Sequence, residues 1–446
     1  MKKKVLHFSY LIFIFTILSL MFVFTFFGSN SSAYEDQSSV PSLLNNGQLN
    51  TNISQDVEDY MSKNFGFRQE LLQLHAEISM NIFDASPITQ VVKGEDGFLY
   101  YEDTVNDYLG LTEFNEREKF QIKHTLELID EYVKSQGKEF LFLMAPNKNS
   151  LYDFMPASYI KLNQNQESYE LLKELNENIY LDLFQLFNKQ QDILYYKTDS
   201  HWNNQGALLV YNSVLDKLSK EHDNFSSYKQ ETEYMKGDLY NKIFPKKGKN
   251  EETIIYDKEK RYTYLTKTRN HEQPYIETFN EKADGSLLMF RDSFANNLID
   301  YFSDAYKYAI YDKSSSYNLD QINTYNADTV IIELAQRNVS MLQENKPVFP
   351  SLKRFISLDE IIEANVAYDI NISSDDKYHI FSGNLNEKYL SDNSLIYLKA
   401  DNDIYEMTPQ NINDNYGFFG CIEKQNYNEL YIIVVSENQK YIDKVK

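Results

Sequence analysis

The fold of this chain is constrained above all by the stretch from about residue 114 to residue 334, where short apolar runs alternate with helical patterns. Helical apolar spacing is found over 114–135, 169–176, 205–218, 294–302 and 319–325. Between these segments the apolar runs predict strands at 140–144, 179–183, 193–196, 287–290, 306–311 and 329–334. Strands that alternate with helices predict an α/β fold with a mostly parallel sheet flanked by helices. The functional residues of such folds lie at the carboxyl ends of the strands.

The amino terminus carries a different pattern. Three lysines, Lys2 to Lys4, precede an almost uninterrupted apolar run over 5–27. This run predicts an N-terminal transmembrane helix, which needs about 20 residues, whereas the core of a signal peptide has about 7–15. The positive charges favour the cytoplasmic side, so we expect a single-pass protein of the cell membrane whose chain after residue 28 is extracytoplasmic. The small residues Ser31 to Ala33 leave the alternative of a cleaved signal segment.

The remaining chain divides by composition. We expect residues 1–28 to be the anchor or signal segment and the polar stretch 29–52 to be a linker. Residues 53–350 contain the alternating pattern and form the predicted α/β domain. Residues 360–446 show strand patterns between Asn, Asp and Ser turns without helical spacing, which predicts a small C-terminal all-β accessory domain.

Charge and residue counts exclude several kinds of function. The formal net charge is −22, so a phosphate backbone would be repelled and we expect no nucleic-acid partner. Cys421 is the only cysteine, and therefore the chain forms no internal disulfide. The seven histidines show no ligand spacing, and no metal site is expected.

Two segments place rare polar residues just after predicted strands. Residues 195–207 contain Asp199 and His201, and residues 288–297 contain Ser293 at a strand-to-helix turn. A serine hydroxyl becomes a nucleophile when an imidazole takes its proton, and a carboxylate orients that imidazole. Asp-x-His alone is weak evidence, because Asp and Ser also cap helices. Both segments on one sheet predict a catalytic triad.

The same segments resemble a known family. The order Asp-x-His-Trp resembles the motif of the DHHW proteins and of the alginate O-acetyltransferases AlgJ and AlgX, and Asp-Ser-Phe resembles their nucleophile block. The resemblance covers roughly residues 55–345. The residues that carry it are Asn64-Phe65-Gly66-Phe67-Arg68, Gly97-Phe98-Leu99-Tyr100, Ala145-Pro146-Asn147-Lys148, Thr198-Asp199-Ser200-His201-Trp202 followed by Gly206-Ala207, and Arg291-Asp292-Ser293-Phe294.

The resemblance implies an SGNH-hydrolase-like domain that needs no cofactor. Ser293 would be the nucleophile, His201 the general base and acid, and Asp199 the orienting carboxylate. An acetyl-serine intermediate would pass its acetyl group to a hydroxyl of a cell-surface glycan polymer, and a membrane-bound O-acyltransferase partner would supply the acetyl group. The chain departs from the motif at Ser200, which replaces a histidine, and at Arg291, which replaces a glycine.

Other roles stay open at this stage. Asn147 and Lys148 follow the predicted strand 140–144 and are candidates for binding substrate or an oxyanion, or for forming a plain turn. Arg291 is a further candidate beside the nucleophile. A carbohydrate acetylesterase with the same triad and a non-catalytic polysaccharide-assembly scaffold are the alternative functions. The β domain is expected either to bind glycan or to brace the catalytic domain.

Overall fold

The computed structural model describes residues 8–16, 19, 23, 40–45, 47–64, 67–163, 166–268, 270–314, 316–413, 415–437 and 439–445. The chain forms two compact units, residues 1–89 with 241–247 and residues 90–240 with 248–446. The second unit contains both the α/β sheet and the C-terminal strands. The predicted boundary between 350 and 360 therefore stays a prediction.

The first unit is helical. Residues 8–16 form a helix, and two short antiparallel strands precede two longer helices: Leu44–Asn45, Gln48–Leu49, Ile53–Asn64 and Arg68–Asn81. Phe67 has a left-handed backbone (φ 63°) and lies between the two longer helices, directly before Arg68. No helix within the described residues is long and apolar enough to cross a bilayer. Much of the predicted span 5–27, and residues 28–39 of the predicted cleavage and linker segments, lie outside the described residues.

The second unit is built on a sheet that has seven strands in the described part of the chain. Its strands in chain order are β1 (Glu139–Ala145), β2 (Tyr180–Leu181), β3 (Thr263–Tyr264), β4 (Tyr275–Phe279), β5 (Ser286–Phe290), β6 (Tyr308–Asp312) and β7 (Thr329–Ala335). Their spatial order is β2-β1-β7-β5-β6-β4-β3. The pairs β2/β1, β1/β7, β7/β5 and β5/β6 are parallel, whereas β4 and β3 extend the sheet in antiparallel pairs. The mostly parallel sheet expected from the sequence is confirmed.

Alternating side chains of β1 show why this sheet is covered on both faces. Phe140, Phe142 and Met144 pack into one apolar cluster, while Leu141 and Leu143 pack into another on the opposite face. Full burial of one such side chain contributes about 1.5–3 kcal/mol. Because both faces of an interior parallel strand are buried, its sequence is a continuous run of apolar residues, and such runs are found at the strand positions of this chain.

Helices supply the two covering layers. Glu116–Ser135 covers one face through Ile122 and Leu126, and Asn204–Lys217 covers the other through Val210 and Val214. The other α-helices that start in this unit are Val105–Leu109, Lys148–Leu151, Glu167–Lys173, Leu183–Asn188, Asp238–Ile243, Ile299–Ala305 and Gln321–Tyr325. Short 3-10 helices are Glu95–Gly97, Glu102–Thr104, Phe294–Asn297, Gln336–Gln343 and Glu387–Tyr389.

One sequence expectation differs from the structure. Residues 193–196 form no strand of the sheet, because their backbone pairs within their own loop: Tyr196 N donates to His201 O and Asn203 N donates to Leu194 O. In the polar stretch 219–284, for which the sequence predicts no element, the structure forms several strands. It contains the hairpin Gln230–Met235/Glu251–Tyr256 together with β3 and β4, which lie at a sheet edge and are only half buried.

The C-terminal region is rich in strands, as expected. Its strands are Lys353–Arg354, Ile361–Glu363, Ala367–Ser374, Tyr378–Leu385, Leu395–Ala400, Asp403–Ile412, Asn415–Glu423, Leu430–Ser436 and Gln439–Lys444. This region packs on helix Glu116–Ser135 through polar contacts. His124 Nε2 lies 2.8 Å from Glu406 Oε1, and Arg354 binds both Glu131 and Glu406.

Candidate active site

Two loops meet at the carboxyl end of the sheet. Ser293 follows β5 by three residues and directly precedes the 3-10 helix Phe294–Asn297. Asp199 and His201 lie on the loop between Tyr195 and Trp202, which closes on itself through the bridge between those two residues. The loop is short and its backbone is paired internally, so it presents both side chains in a fixed orientation.

The three predicted triad residues form one hydrogen-bonded chain. Asp199 Oδ1 lies 2.7 Å from His201 Nδ1, and His201 Nε2 lies 2.9 Å from Ser293 Oγ. Asp199 Oδ1 also accepts from the backbone N of His201 at 3.0 Å. The distance between His201 Nε2 and Ser293 Oγ is within hydrogen-bond reach for transfer of the serine proton to the imidazole.

The charges around His201 favour its protonated form. Burial would lower the pKa of His201, but the hydrogen bond that its Nδ1–H donates to Asp199 and the charges of Asp199, Asp238 and Asp292 outweigh burial, and the pKa is raised. Burial would likewise raise the pKa of Asp199, yet the bond and charge of His201 hold it below its ordinary value. The imidazolium that forms when Ser293 loses its proton is therefore stabilised.

Asp238 is a second carboxylate that sequence reasoning missed. Its backbone N donates to Asp199 Oδ2 at 2.8 Å, and its side chain accepts from Ser200 N at 2.7 Å and Ser200 Oγ at 2.6 Å. Its carboxylate lies 4.0 Å from His201 Nδ1. Burial, followed by repulsion from Asp199, raises the pKa of Asp238. Asp238 stands in the polar stretch 219–284, where no motif or periodicity distinguishes it from other acidic residues.

Three of these residues also offer atoms of the kind that bind metals. One ligand atom each from Asp199, His201 and Asp238 lies within 4.8 Å of the others. Both ring nitrogens of His201 already have hydrogen-bond partners in Asp199 and Ser293. The arrangement accordingly suits proton transfer along the triad.

Asp292 anchors the turn that carries the nucleophile. Its Oδ2 accepts from Ala335 N at 2.7 Å and from Asn338 Nδ2 at 2.9 Å, and its Oδ1 accepts from Phe294 N at 2.9 Å. The side chain thereby ties the end of β5 to the end of the neighbouring β7. Within the described part of the chain, the backbone N–H of Ser293 has no hydrogen-bond acceptor. This N–H is a candidate donor to an oxyanion.

Arg291 is buried behind the same turn. Its Nη2 donates to the carbonyls of His271 and Gln273 at 2.7 and 3.0 Å, and its Nη1 donates to Asn296 Oδ1 at 2.6 Å. The guanidinium therefore links the loop around 271–273 to the nucleophile turn. A direct contact between Arg291 and substrate or oxyanion stays a prediction.

Lys148 lies beneath the loop of Asp199 and His201. Its buried ammonium donates to the carbonyls of Tyr196, Lys197 and Asp199 at 3.0, 2.9 and 2.7 Å, and burial lowers its pKa to about 8. These bonds hold the loop in place. Asn147 is fully buried and donates to Asp107 Oδ2 at 2.7 Å. The substrate or oxyanion roles of both residues stay predictions.

The sole tryptophan is part of the wall behind the histidine. Trp202 is fully buried and packs edge-on against Phe294 at 5.0 Å between ring centroids, and Phe294 also packs against the His201 ring at 4.9 Å. Phe294 follows the nucleophile, so these rings join both loops. In this structure the Trp of the motif has a packing role.

The triad opens into a cleft of about 410 Å³. Polar side chains line most of it: Tyr196, Asp199, His201, Met235, Asp238, Asn270, His271, Glu272, Ser293, Asn296 and Asn297. A parallel sheet with an Asp–His–Ser chain at its carboxyl edge defines a serine-nucleophile enzyme of the acyltransferase and esterase class. The chain belongs to the family described as "ALGX: SGNH hydrolase-like domain, acetyltransferase AlgX", whose model matches residues 91–314.

Several solved structures are similar to this chain. A DHHW family protein from Eubacterium siraeum is 16% identical, and the match covers 58% of this chain and 96% of that protein, with a TM-score of 0.44. PatB1 of Bacillus cereus is 17% identical over 56% of this chain and 98% of its own, with a TM-score of 0.46. The O-acetyltransferase domain of Pseudomonas putida AlgJ is 12% identical, and the match covers 57% of this chain and 93% of that domain, with a TM-score of 0.37. No curated protein matches the chain.

Proposed function

We propose that this protein is an extracytoplasmic O-acetyltransferase that acetylates hydroxyls of a cell-surface polysaccharide through an acetyl-serine intermediate. The observation that carries the proposal is the continuous hydrogen-bonded chain Asp199–His201–Ser293 at the floor of an open polar cleft. Membership of the family whose description names an acetyltransferase supports acetyl transfer as the reaction.

In the first half-reaction Ser293 Oγ attacks the carbonyl carbon of a donor acetyl ester while His201 Nε2 takes the serine proton. The negative charge that develops on the carbonyl oxygen is stabilised by the free N–H of Ser293. When the bond to the donor alkoxide breaks, His201 returns the proton to that alkoxide. Asp199 keeps the imidazole in the tautomer that receives the proton at Nε2.

The second half-reaction runs these steps with the acceptor. A glycan hydroxyl attacks the acetyl-serine carbonyl while His201 Nε2 takes the hydroxyl proton. The bond between Ser293 Oγ and the acetyl carbon breaks, and the proton goes to Ser293. With water as acceptor, the same steps release acetate, which is the esterase reaction.

The location and the donor are parts of the same proposal. The lysines at residues 2–4 and the apolar run over 5–27 support placement of the catalytic domain outside the cytoplasm with a membrane anchor. Acetyl-CoA is cytoplasmic, so a membrane-bound O-acyltransferase partner would have to deliver the acetyl group across the bilayer.

The test uses the full chain with p-nitrophenyl acetate as donor and candidate oligosaccharides as acceptors. We expect nitrophenol release, one acetyl group on the Ser293 peptide by mass spectrometry, and acetylated oligosaccharide. Ser293→Ala should abolish all three, whereas Ser373→Ala, at an exposed serine of the C-terminal region, should change none. Free acetate without acetylated glycan would favour the esterase, and absence of Ser293-dependent turnover would refute both enzymes and favour the scaffold.

A further inference from the structure

A second cleft of about 320 Å³ adjoins the catalytic cleft. Three side chains, those of His271, Asn296 and Asn297, line both clefts. A molecule lying in the second cleft would therefore contact residues that also line the catalytic cleft. The second cleft, which we term the aromatic cleft, is bounded on one side by the hairpin strand Glu251–Tyr256 and on the other by helix Ile299–Ala305.

Aromatic side chains form much of the aromatic cleft. Phe225, Tyr256, Tyr262 and Tyr301 all line it. Tyr256 and Tyr301 pack on the Phe225 ring, at 5.8 and 5.0 Å between centroids, so their positions are fixed. Phe225, Tyr262 and Tyr301 are more than 90% buried and form the wall of the cleft, whereas Tyr256 is only partly buried. Tyr256 therefore offers the ring on which the C–H face of a sugar can pack.

Hydrogen-bonding groups complete this surface. In the described ranges, the Tyr256 hydroxyl and the Asn297 Oδ1 have no hydrogen-bond partner, while Asn297 Nδ2 is held by the Trp202 carbonyl at 2.9 Å. A cleft with rigid rings and a few free polar atoms is the kind of site that binds a polar, ring-shaped ligand.

The charges of the aromatic cleft discriminate between kinds of glycan. Lys258 is held between Asp304 and Asp223, and Lys260 is paired with Asp300 at 3.2 Å. Each lysine that lines the cleft is thus neutralised by a carboxylate. Glu259 adds a further exposed carboxylate, so the described residues that line the cleft offer no net positive charge to an anion. A uronate or phosphate group placed here would meet repulsion.

We propose that the aromatic cleft binds a neutral sugar residue of the acceptor chain, and that the acceptor is accordingly a neutral glycan and not a polyuronate or a phosphate-bearing polymer. The inference rests on the proposed function for the identity of the reaction. It concerns which acceptor lies beside Ser293, and its binding test does not depend on turnover.

The first experiment measures binding to full-length protein carrying Ser293→Ala, so that no acetyl transfer occurs. The probes are a neutral N-acetylglucosamine oligomer and an oligogalacturonate of equal length, in low-salt buffer by titration calorimetry. We expect the neutral oligomer to bind at least about tenfold more tightly, which corresponds to about 1.4 kcal/mol of binding free energy. Equal or tighter binding of oligogalacturonate would overturn the inference.

Variants then locate the binding. Adding Tyr256→Ala should weaken binding of the neutral oligomer about tenfold through loss of ring packing, whereas Tyr256→Phe should retain most of the affinity. The matched control is Tyr308→Ala, at a half-exposed tyrosine at the amino end of β6, which is the opposite end of the sheet from Ser293. Unchanged affinity in Tyr256→Ala would overturn the assignment to this cleft.

A surface variant tests the charge argument without disturbing the core. Glu259→Lys adds an unpaired cation at the exposed edge, and it should strengthen oligogalacturonate binding about three- to tenfold at low salt, with the gain lost in high salt. No gain would contradict the charge argument. Neutral-glycan binding that depends on Tyr256, in a protein that shows no Ser293-dependent turnover, would refute the proposed enzyme function while supporting the binding site.

Discussion

Asp238 provides the sharpest test of how the site works. The change Asp238→Asn removes one negative charge 4.0 Å from His201 Nδ1 and keeps an oxygen that can accept from Ser200 N. The backbone bond from residue 238 to Asp199 Oδ2 is also kept. Because the charge of Asp238 favours protonated His201, its loss should lower the pKa of His201.

The size of the effect follows from the geometry. Two unit charges 4 Å apart interact by about 1 kcal/mol in water and about 4 kcal/mol at an effective dielectric of 20. The Asp238 side chain is 38% exposed, so the value near water applies. Since 1.36 kcal/mol corresponds to one pH unit, we expect a decrease in the His201 pKa of about 0.5–1 unit.

The assay is the pH dependence of kcat/KM for p-nitrophenyl acetate. The base works when His201 is neutral, so activity falls on the acidic side of the His201 pKa. In Asp238→Asn this acidic limb should move to lower pH by about 0.5–1 unit. Asp216→Asn, at a carboxylate that is 76% exposed, is the matched control and should leave the limb in place. An unmoved limb, or a shift to higher pH, would refute the electrostatic role of Asp238.

Two further changes test the support of the site and of the fold. A Cβ at Gly237 would lie 2.3 Å from the Thr198 carbonyl oxygen, so Gly237→Ala should displace the triad loop and lower kcat/KM at least about tenfold. The control Gly248→Ala places its Cβ in open space and should have no effect on kcat/KM. Equal activity of the two variants would contradict this prediction. Burial would lower the pKa of His124, but Glu127 and Glu406 outweigh burial and raise this pKa. The contribution of His124 to stability is therefore fully present below its ordinary pKa of 6.5 and is lost as pH rises through the raised pKa. His124→Gln should therefore lower the free energy of unfolding by about 1–2 kcal/mol in mildly acidic buffer and by less in alkaline buffer, and a difference independent of pH in denaturant titrations would argue against it.

Much of the fold was predictable because its signals are local. The apolar runs of β1, β5 and β7 and the helix ending at Ser135 are confirmed nearly to the residue. The helix Glu116–Ser135 has a capping box at Asn115 and a left-handed Gly137 after its end, and both features correspond to residue types that mark helix ends in a sequence. The strands β3 and β4 escaped prediction because β3 has only two residues and the five residues of β4 alternate between buried and partly exposed positions.

The site was predictable in part for the same reason. Asp199, His201 and Ser293 stand in short motifs beside predicted strands, and the structure brings these three together. Lys148 was singled out from its place after β1, but its contacts with the loop of Asp199 connect residues about fifty positions apart and depend on how that loop packs.

By itself the sequence determined the parallel α/β sheet, the β-rich C-terminal region and the order of the three triad residues, because period and motif are properties of neighbouring residues. Only the tertiary structure decided that Asp238 lies against the triad, that Lys148 and Arg291 use their charges on backbone carbonyls, and that an aromatic cleft opens beside Ser293. These features join side chains from distant segments, and their directions depend on packing, which no local pattern encodes.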